Sequence, residues 1–263
     1  NKISAFSDFS EDIVIPTMEE CAKFSEEVLA PINAIGDQQG ATIKDGVVTM
    51  PEEFVEAYQK FAEAGWASIS LPSDIGGGGM PITLSGGTLE ILSTANLAFG
   101  LAPGLSAGAI SAINFHGSQE QKDKFLPKLV SGEWTGTMNL SEPQSGSDLG
   151  TITTKAEPQE DGSYKITGTK VWITFGEHNM TENIIHLVLA KVPGSPEGTK
   201  GISMFIVPKY TVNDDGSVGD SNNVSCISIE EKLGIHASPT CVMEYDGSVG
   251  YLVGEENRGL NYM

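Results

Sequence analysis

Two short stretches hold the residue types that could do chemistry. "MNLSEPQSGSDLG", residues 138–150, packs a proline, glycines, small hydroxyls and two acids behind an apolar run. A loop of that composition can aim backbone N–H groups and hydroxyls at an anion, here from Ser145, Gly146 and Ser147. Gly146 would let a ligand approach the backbone closely. The same residues would equally make an ordinary polar hairpin. "KVWITFGEHN", residues 170–179, sets the flat face of Trp172 and the hydroxyl of Thr174 on one side of a strand. That pairing suits an aromatic heterocycle with polar ring atoms; a buried Trp beside a surface Thr is the plain alternative.

The elements that must position these residues change character along the chain. "PTMEECAKFSEEVLAP" reads as a helix with Thr17 as N-cap, Glu20 completing a capping box and Pro31 ending it. "PEEFVEAYQKFAEAGW" places Pro51 at a helix start, Phe54, Tyr58 and Phe61 on one stripe, and Gly65 at the stop. Two apolar, small-residue runs follow at 83–98 and 104–115, then a second capping box from Ser118 and Gln121. The GGGG at 76–79 lacks the GxxxxGK pattern of a phosphate loop and reads as a bend. From Trp134 the segments become short, β-branched and aromatic, with turn signals such as "EDGS" and "NDDGS" between them. No helix-length segment alternates with them, so an all-α N-terminal domain followed by a mostly antiparallel β-barrel or sandwich is expected. The seam falls between Leu129 and Trp134, giving 1–132, 133–256 and the start of a further element at 257–263.

Composition narrows the classes. At 263 residues the chain can hold one large or two ordinary domains. A net charge of −20 argues against nucleic acid, which needs clustered Lys and Arg, and speaks for solubility. Cys21, Cys226 and Cys241 are scattered and odd in number, which suits small buried hydrophobes rather than a disulfide framework. His116, His178, His186 and His236 are equally dispersed and suggest no metal site. No run approaches the ~18 consecutive apolar residues of a membrane span, so a cytoplasmic protein is expected.

The order L-S-E-P-x-x-G-S-D at 140–148, a gap, then G-x-K-x-W-I-T at 168–174 resembles the flavin-binding middle domain of the acyl-CoA dehydrogenase family. "LPSDIGGGGMP" and "NFHGSQEQKDKFLPKLVSGEW" before it look like the family's N-terminal helical domain. "KGISMFIVPK", "KLGIHASPT" and "LVGEENRGLNYM" look like the remaining middle-domain strands and the lead into a last helical domain. The likeness covers nearly the whole chain and is nearest to the branch acting on 3-(methylthio)propanoyl-CoA.

That resemblance implies an FAD cofactor lined by Met138, Leu140 and Ser141, with Ser147 between flavin and coenzyme A. Trp172 would pack on the isoalloxazine, and the Thr174 hydroxyl would reach toward N5. This sequence has Met138 where the family has Tyr or Phe, and Gln144 at the family's first loop glycine. In the family a Glu of the C-terminal helical domain removes the α-proton of the thioester while a β-hydride passes to the flavin. The base is therefore expected beyond Met263. Glu142 belongs to the loop motif and reads as structural; Glu177 is a substitute base that nothing in its sequence context marks by a raised pKa. The implied partners are an acyl-CoA, an electron-transfer flavoprotein and further copies of the chain in an oligomer. An acyl-CoA oxidase of the same fold, and a non-catalytic acyl-CoA or flavin-binding module, are the competing readings.

Overall fold

The computed structural model describes residues 9–263. The helical part runs α1 (Glu11–Phe24), a π turn (Ser25–Leu29), α2 (Ala30–Gln39), the hairpin β1 (Thr42–Lys44) and β2 (Val47–Thr49), and α3 (Glu52–Glu63). It continues with α4 (Ile82–Ala95), α5 (Leu97–His116) and α6 (Gln119–Ser131). α3 forms as its pattern predicts: Pro51 precedes it, Phe54, Tyr58 and Phe61 are buried, and Gly65 follows in the left-handed region. Those rings meet Phe99 of α5, with Phe61 edge-on at 5.6 Å. α6 opens with the expected capping box, in which Gln121 N donates to Ser118 Oγ and Ser118 N to Gln121 Oε1. The Gln121 amide also donates to Leu252 O at 2.8 Å, pinning the helix start to the last strand. Ser118→Ala should cost about 1 kcal/mol in a urea melt.

Two expectations about the first helix fail. It begins at Glu11, with Pro16 inside it, and Thr17 is a helical residue whose hydroxyl donates to Ile13 O. Asp12 is exposed, so water can take the carbonyl that Pro16 leaves without its amide. Nor does Pro31 end the element. It sits in the first turn of α2, where a missing N–H costs little, because the π turn before it resets the bonding register. The β1–β2 hairpin was not foreseen within the helical half. Its turn, Asp45–Gly46, has φ of 50° and 80°, the two positive values that an Asp-Gly hairpin turn supplies.

The second part consists of β3 (Trp134–Asn139), β4 (Lys155–Pro158), β5 (Tyr164–Thr174), β6 (Asn183–Lys191) and β7 (Ile202–Pro208). A small hairpin of β8 (Tyr210–Val212) and β9 (Val218–Ser221) follows, then β10 (Val224–Ile229), β11 (Thr240–Leu252) and a short α7 (Gly259–Tyr262). The strand order is β10-β11-β5-β4-β6-β3, and β7 bridges β6 and β11. That bridge folds the sheet over into a sandwich-like arrangement whose middle strands, β6 and β7, are buried almost throughout. Pairing is antiparallel except where β6 meets β3 and β4. The mostly antiparallel sandwich expected from the turn signals is what the chain forms.

α5 lies directly on β3, and Gly136 N donates to Ser106 Oγ at 3.0 Å. By length and composition α5 is long and apolar enough to cross a membrane, although its apolar residues are interrupted by Gly, Ser and Pro. Its buried residues include Phe99, Ala109, Ile110 and Ile113, the arrangement of a core helix between helices and sheet.

Candidate functional site

β3 leaves the sheet beside the end of β5, and three contacts join the two. Lys170 Nζ donates to Leu140 O at 2.9 Å, Val171 N donates to Ser141 O at 3.0 Å, and Lys170 reaches Glu142 Oε1 at 2.9 Å. Lys170 is fully buried and Glu142 2% exposed. The Glu142 carboxylate also accepts from the backbone N–H and hydroxyl of both Thr153 and Thr154, and from the Gln144 amide. Burial alone would push its pKa up; Lys170 and these donors outweigh that and hold it at about 2. Burial pulls Lys170 down to about 8, which leaves it protonated at neutral pH. Thr154 can come this near because Gly168 has no side chain: a Cβ there would lie 2.5 Å from Thr154 Oγ1, at φ 155°.

One step further along β5 the ladder breaks. Cys241 pairs with Ile173 and Met243 with Lys170, so Val242 faces both Val171 and Trp172 across a β-bulge. Trp172 has φ 62°, a left-handed conformation that is costly for a bulky residue, and its indole is 58% exposed. The bulge turns the ring out over the seam loop, where a Cβ on Gly146 would lie 3.5 Å from it.

The loop itself is part anchor and part open shelf. Ser145 is buried; its hydroxyl donates to Asp148 O at 2.6 Å and its N–H to Glu142 O. Of the two readings of this loop, Ser145 follows the polar-hairpin one, because the turn consumes both of its donors. Ser147 is exposed, and the N–H groups of Gly146 and Ser147 have no partner among the described residues. The hydroxyls of Ser141, Ser147 and Thr174 are likewise without a hydrogen bond there, and Thr174 is half-buried at the end of β5, paired to Thr240. Ser141 and Trp172 thus meet around Gly146, while Leu140 packs back against the core. Met138 is half-buried farther back, on the α5 side of β3, near Gly108.

Glu177 differs from its sequence reading. Its side chain is 2% exposed and paired to Lys209 at 2.5 Å. Burial raises its pKa and Lys209 only partly offsets this, so a perturbation is present where sequence showed none. The ion pair ties it to β7's end rather than to the open loop, which removes it as a substitute base. Lys170 stands in the G-x-K-x-W-I-T motif without a role assigned to it; β5 carries Lys165 and three threonines besides, so nothing local marks Lys170 as the buried one.

An aromatic cofactor fits these residues: an outward, strained indole stands beside unpartnered hydroxyls and loop amides. Comparison with known proteins agrees. A family profile described as the acyl-CoA dehydrogenase N-terminal domain matches residues 16–133, and the middle-domain profile of the same family matches 137–248. The chain is 48% identical over 261 residues to a 3-methylmercaptopropionyl-CoA dehydrogenase of Ruegeria pomeroyi, covering 99% of this chain and 44% of that protein. It is 41% identical to a butyryl-CoA dehydrogenase of Syntrophomonas wolfei, over 89% of this chain and 39% of that one. A solved acyl-CoA dehydrogenase from Bacillus anthracis, complexed with FAD, superposes with a TM-score of 0.77 at 26% identity, covering all of this chain and 41% of its own. The chain thus spans under half the length of these relatives. With adjoining profiles of one family matched along most of it, the chain belongs to the acyl-CoA dehydrogenase family.

Proposed function

We propose that residues 1–132 and 133–256 are the N-terminal and middle domains of an FAD-dependent acyl-CoA dehydrogenase, with 257–263 leading into a C-terminal helical domain that holds the catalytic base. The observation that carries this reading is the exposed Trp172 on its strained bulge, beside the free hydroxyls of Ser141, Ser147 and Thr174. FAD, when bound, supplies the hydride acceptor. Trp172 would cover the flat ring, Thr174 and Ser141 would donate to its polar edge, and Leu140 and Met138 would give the apolar backing. Ser147 and the Gly146 amide would face the join of flavin and thioester. The short acyl groups named for the relatives at 48% and 41% identity support a short acyl-CoA, with 3-(methylthio)propanoyl-CoA the leading substrate. An electron-transfer flavoprotein as acceptor and a homo-oligomer complete the reading. Three unpaired, buried thiols fit a cytoplasmic location.

An absorbance spectrum of the purified chain, taken before and after adding FAD and removing the excess, tests this. A retained flavin band is expected. No band, either here or in a longer version extended beyond Met263, would sink the reading.

A further inference from the structure

We propose that the buried Glu142–Lys170 ion pair is a positioning device, which sets the bulge conformation of Trp172 and the height of the loop beneath it. Its functional consequence rests on the flavin reading; its structural content does not. A buried ion pair is weak evidence for stability, since a well-packed apolar pair of similar volume does as well or better. Its placement says more. Glu142 receives hydrogen bonds from both ends of the region that must be aligned: Lys170 on β5, and Thr153 and Thr154 where the loop rejoins the sheet. Lys170 spans the same gap from the other side by also holding Leu140 O. Together with the Val171–Ser141 backbone bond, these contacts fix residues 140–142 against 170–171. Trp172 comes next, and a left-handed tryptophan persists only where its surroundings over-determine it. Two apolar side chains could fill the volume, but neither could bond two threonine amides, a carbonyl and each other.

The test uses Trp172 as its own reporter, on the chain without flavin. Trp134 is fully buried and Trp66 half-buried, so acrylamide quenching reads mainly the 58%-exposed Trp172, and Trp172→Phe supplies the background to subtract. Lys170→Met strands the carboxylate and should lower Tm. The neutral double variant Glu142→Gln/Lys170→Met should regain most of that Tm, yet keep a red-shifted, more strongly quenched Trp172 emission. FAD affinity should fall roughly tenfold in both, equivalent to about 1.4 kcal/mol. A double variant with recovered Tm and wild-type quenching would overturn the proposal and leave the pair as packing. Should neither variant fold, Thr154→Val, which removes one donor to Glu142 at constant volume, should shift the quenching in the same direction; no shift overturns the proposal equally. If the wild-type chain retains no FAD, the flavin reading is what fails, and the quenching still decides the positioning role.

Discussion

Trp172→Ala is expected to weaken FAD binding by about 1 to 3 kcal/mol, or roughly 5- to 150-fold, the range found when an aromatic platform under a stacked base is removed. Trp172→Phe, which keeps a flat ring, should retain most of the affinity. Flavin fluorescence titrations on the three proteins separate these outcomes. Equal affinity in all three would mean that the ring system does not lie over residue 172. A third substitution makes the argument sharper. The indole is 58% exposed, and the part that is buried, roughly 100 Å², contributes about 2.5 kcal/mol, similar in size to the strain of about 1 to 3 kcal/mol that glycine would relieve at φ 62°. Trp172→Gly should therefore change stability by under about 1 kcal/mol while removing the same binding energy. Loss of binding at near-constant stability is the mark of a group held in place for a ligand.

Much of the fold was legible because its signals are local. The Phe54–Tyr58–Phe61 stripe, the Ser118–Gln121 box and the change to β-branched segments after Trp134 each depend on neighbours within a few residues. The errors came where a local rule met a non-local remedy: Pro31 is absorbed by a π turn, and Pro16 by solvent. The Asp45–Gly46 hairpin was legible and passed over inside a helical context. Within the candidate site, the family motifs name two segments, and the chemistry of the residues inside them depends on the third dimension. Ser145 has the composition of a ligand donor and the geometry of a turn residue. Alternation placed Trp172 and Thr174 on one side of β5, yet it could not show the bulge, because a bulge is a mismatch with β11 rather than a property of β5 alone. Lys170 escaped notice for the same reason, since its carboxylate partner lies on a different segment.

Acidification from pH 6.5 to 5 is expected to destabilise the chain by about 3 kcal/mol in all, through two histidines on or beside the strand that β3 pairs with. His178 and His186 are both fully buried. His178 Nδ1 accepts from Met180 N, so its proton sits on Nε2, which donates to Thr135 Oγ1; a second proton would have to displace a backbone amide. His186 Nδ1 meets Thr137 Oγ1 at 2.7 Å, and its Nε2 has no partner, so a charge there would be buried without an acceptor. Burial, reinforced by Lys209, pushes both pKa values from 6.5 to about 3. The sign follows from the protons each state binds. Below 6.5 the unfolded chain takes up two protons that the native chain refuses, so stability is lost as pH falls and regained as it rises. Glu142 adds to this only below its ordinary 4.5, where its depressed pKa makes the native state the weaker proton binder. Relief of the −20 net charge acts in the opposite sense, but ordinary carboxylates titrate near 4, below the window. Urea melts at pH 7.5, 6.5 and 5.5 should show the loss, and His178→Gln with His186→Asn should flatten it. Unchanged wild-type stability across that range would mean that the imidazoles protonate in place. The polar line Tyr245–Asn139–Thr137–His186 would then have to open to water in the native state, immediately behind Met138 and the strand end that carries the site.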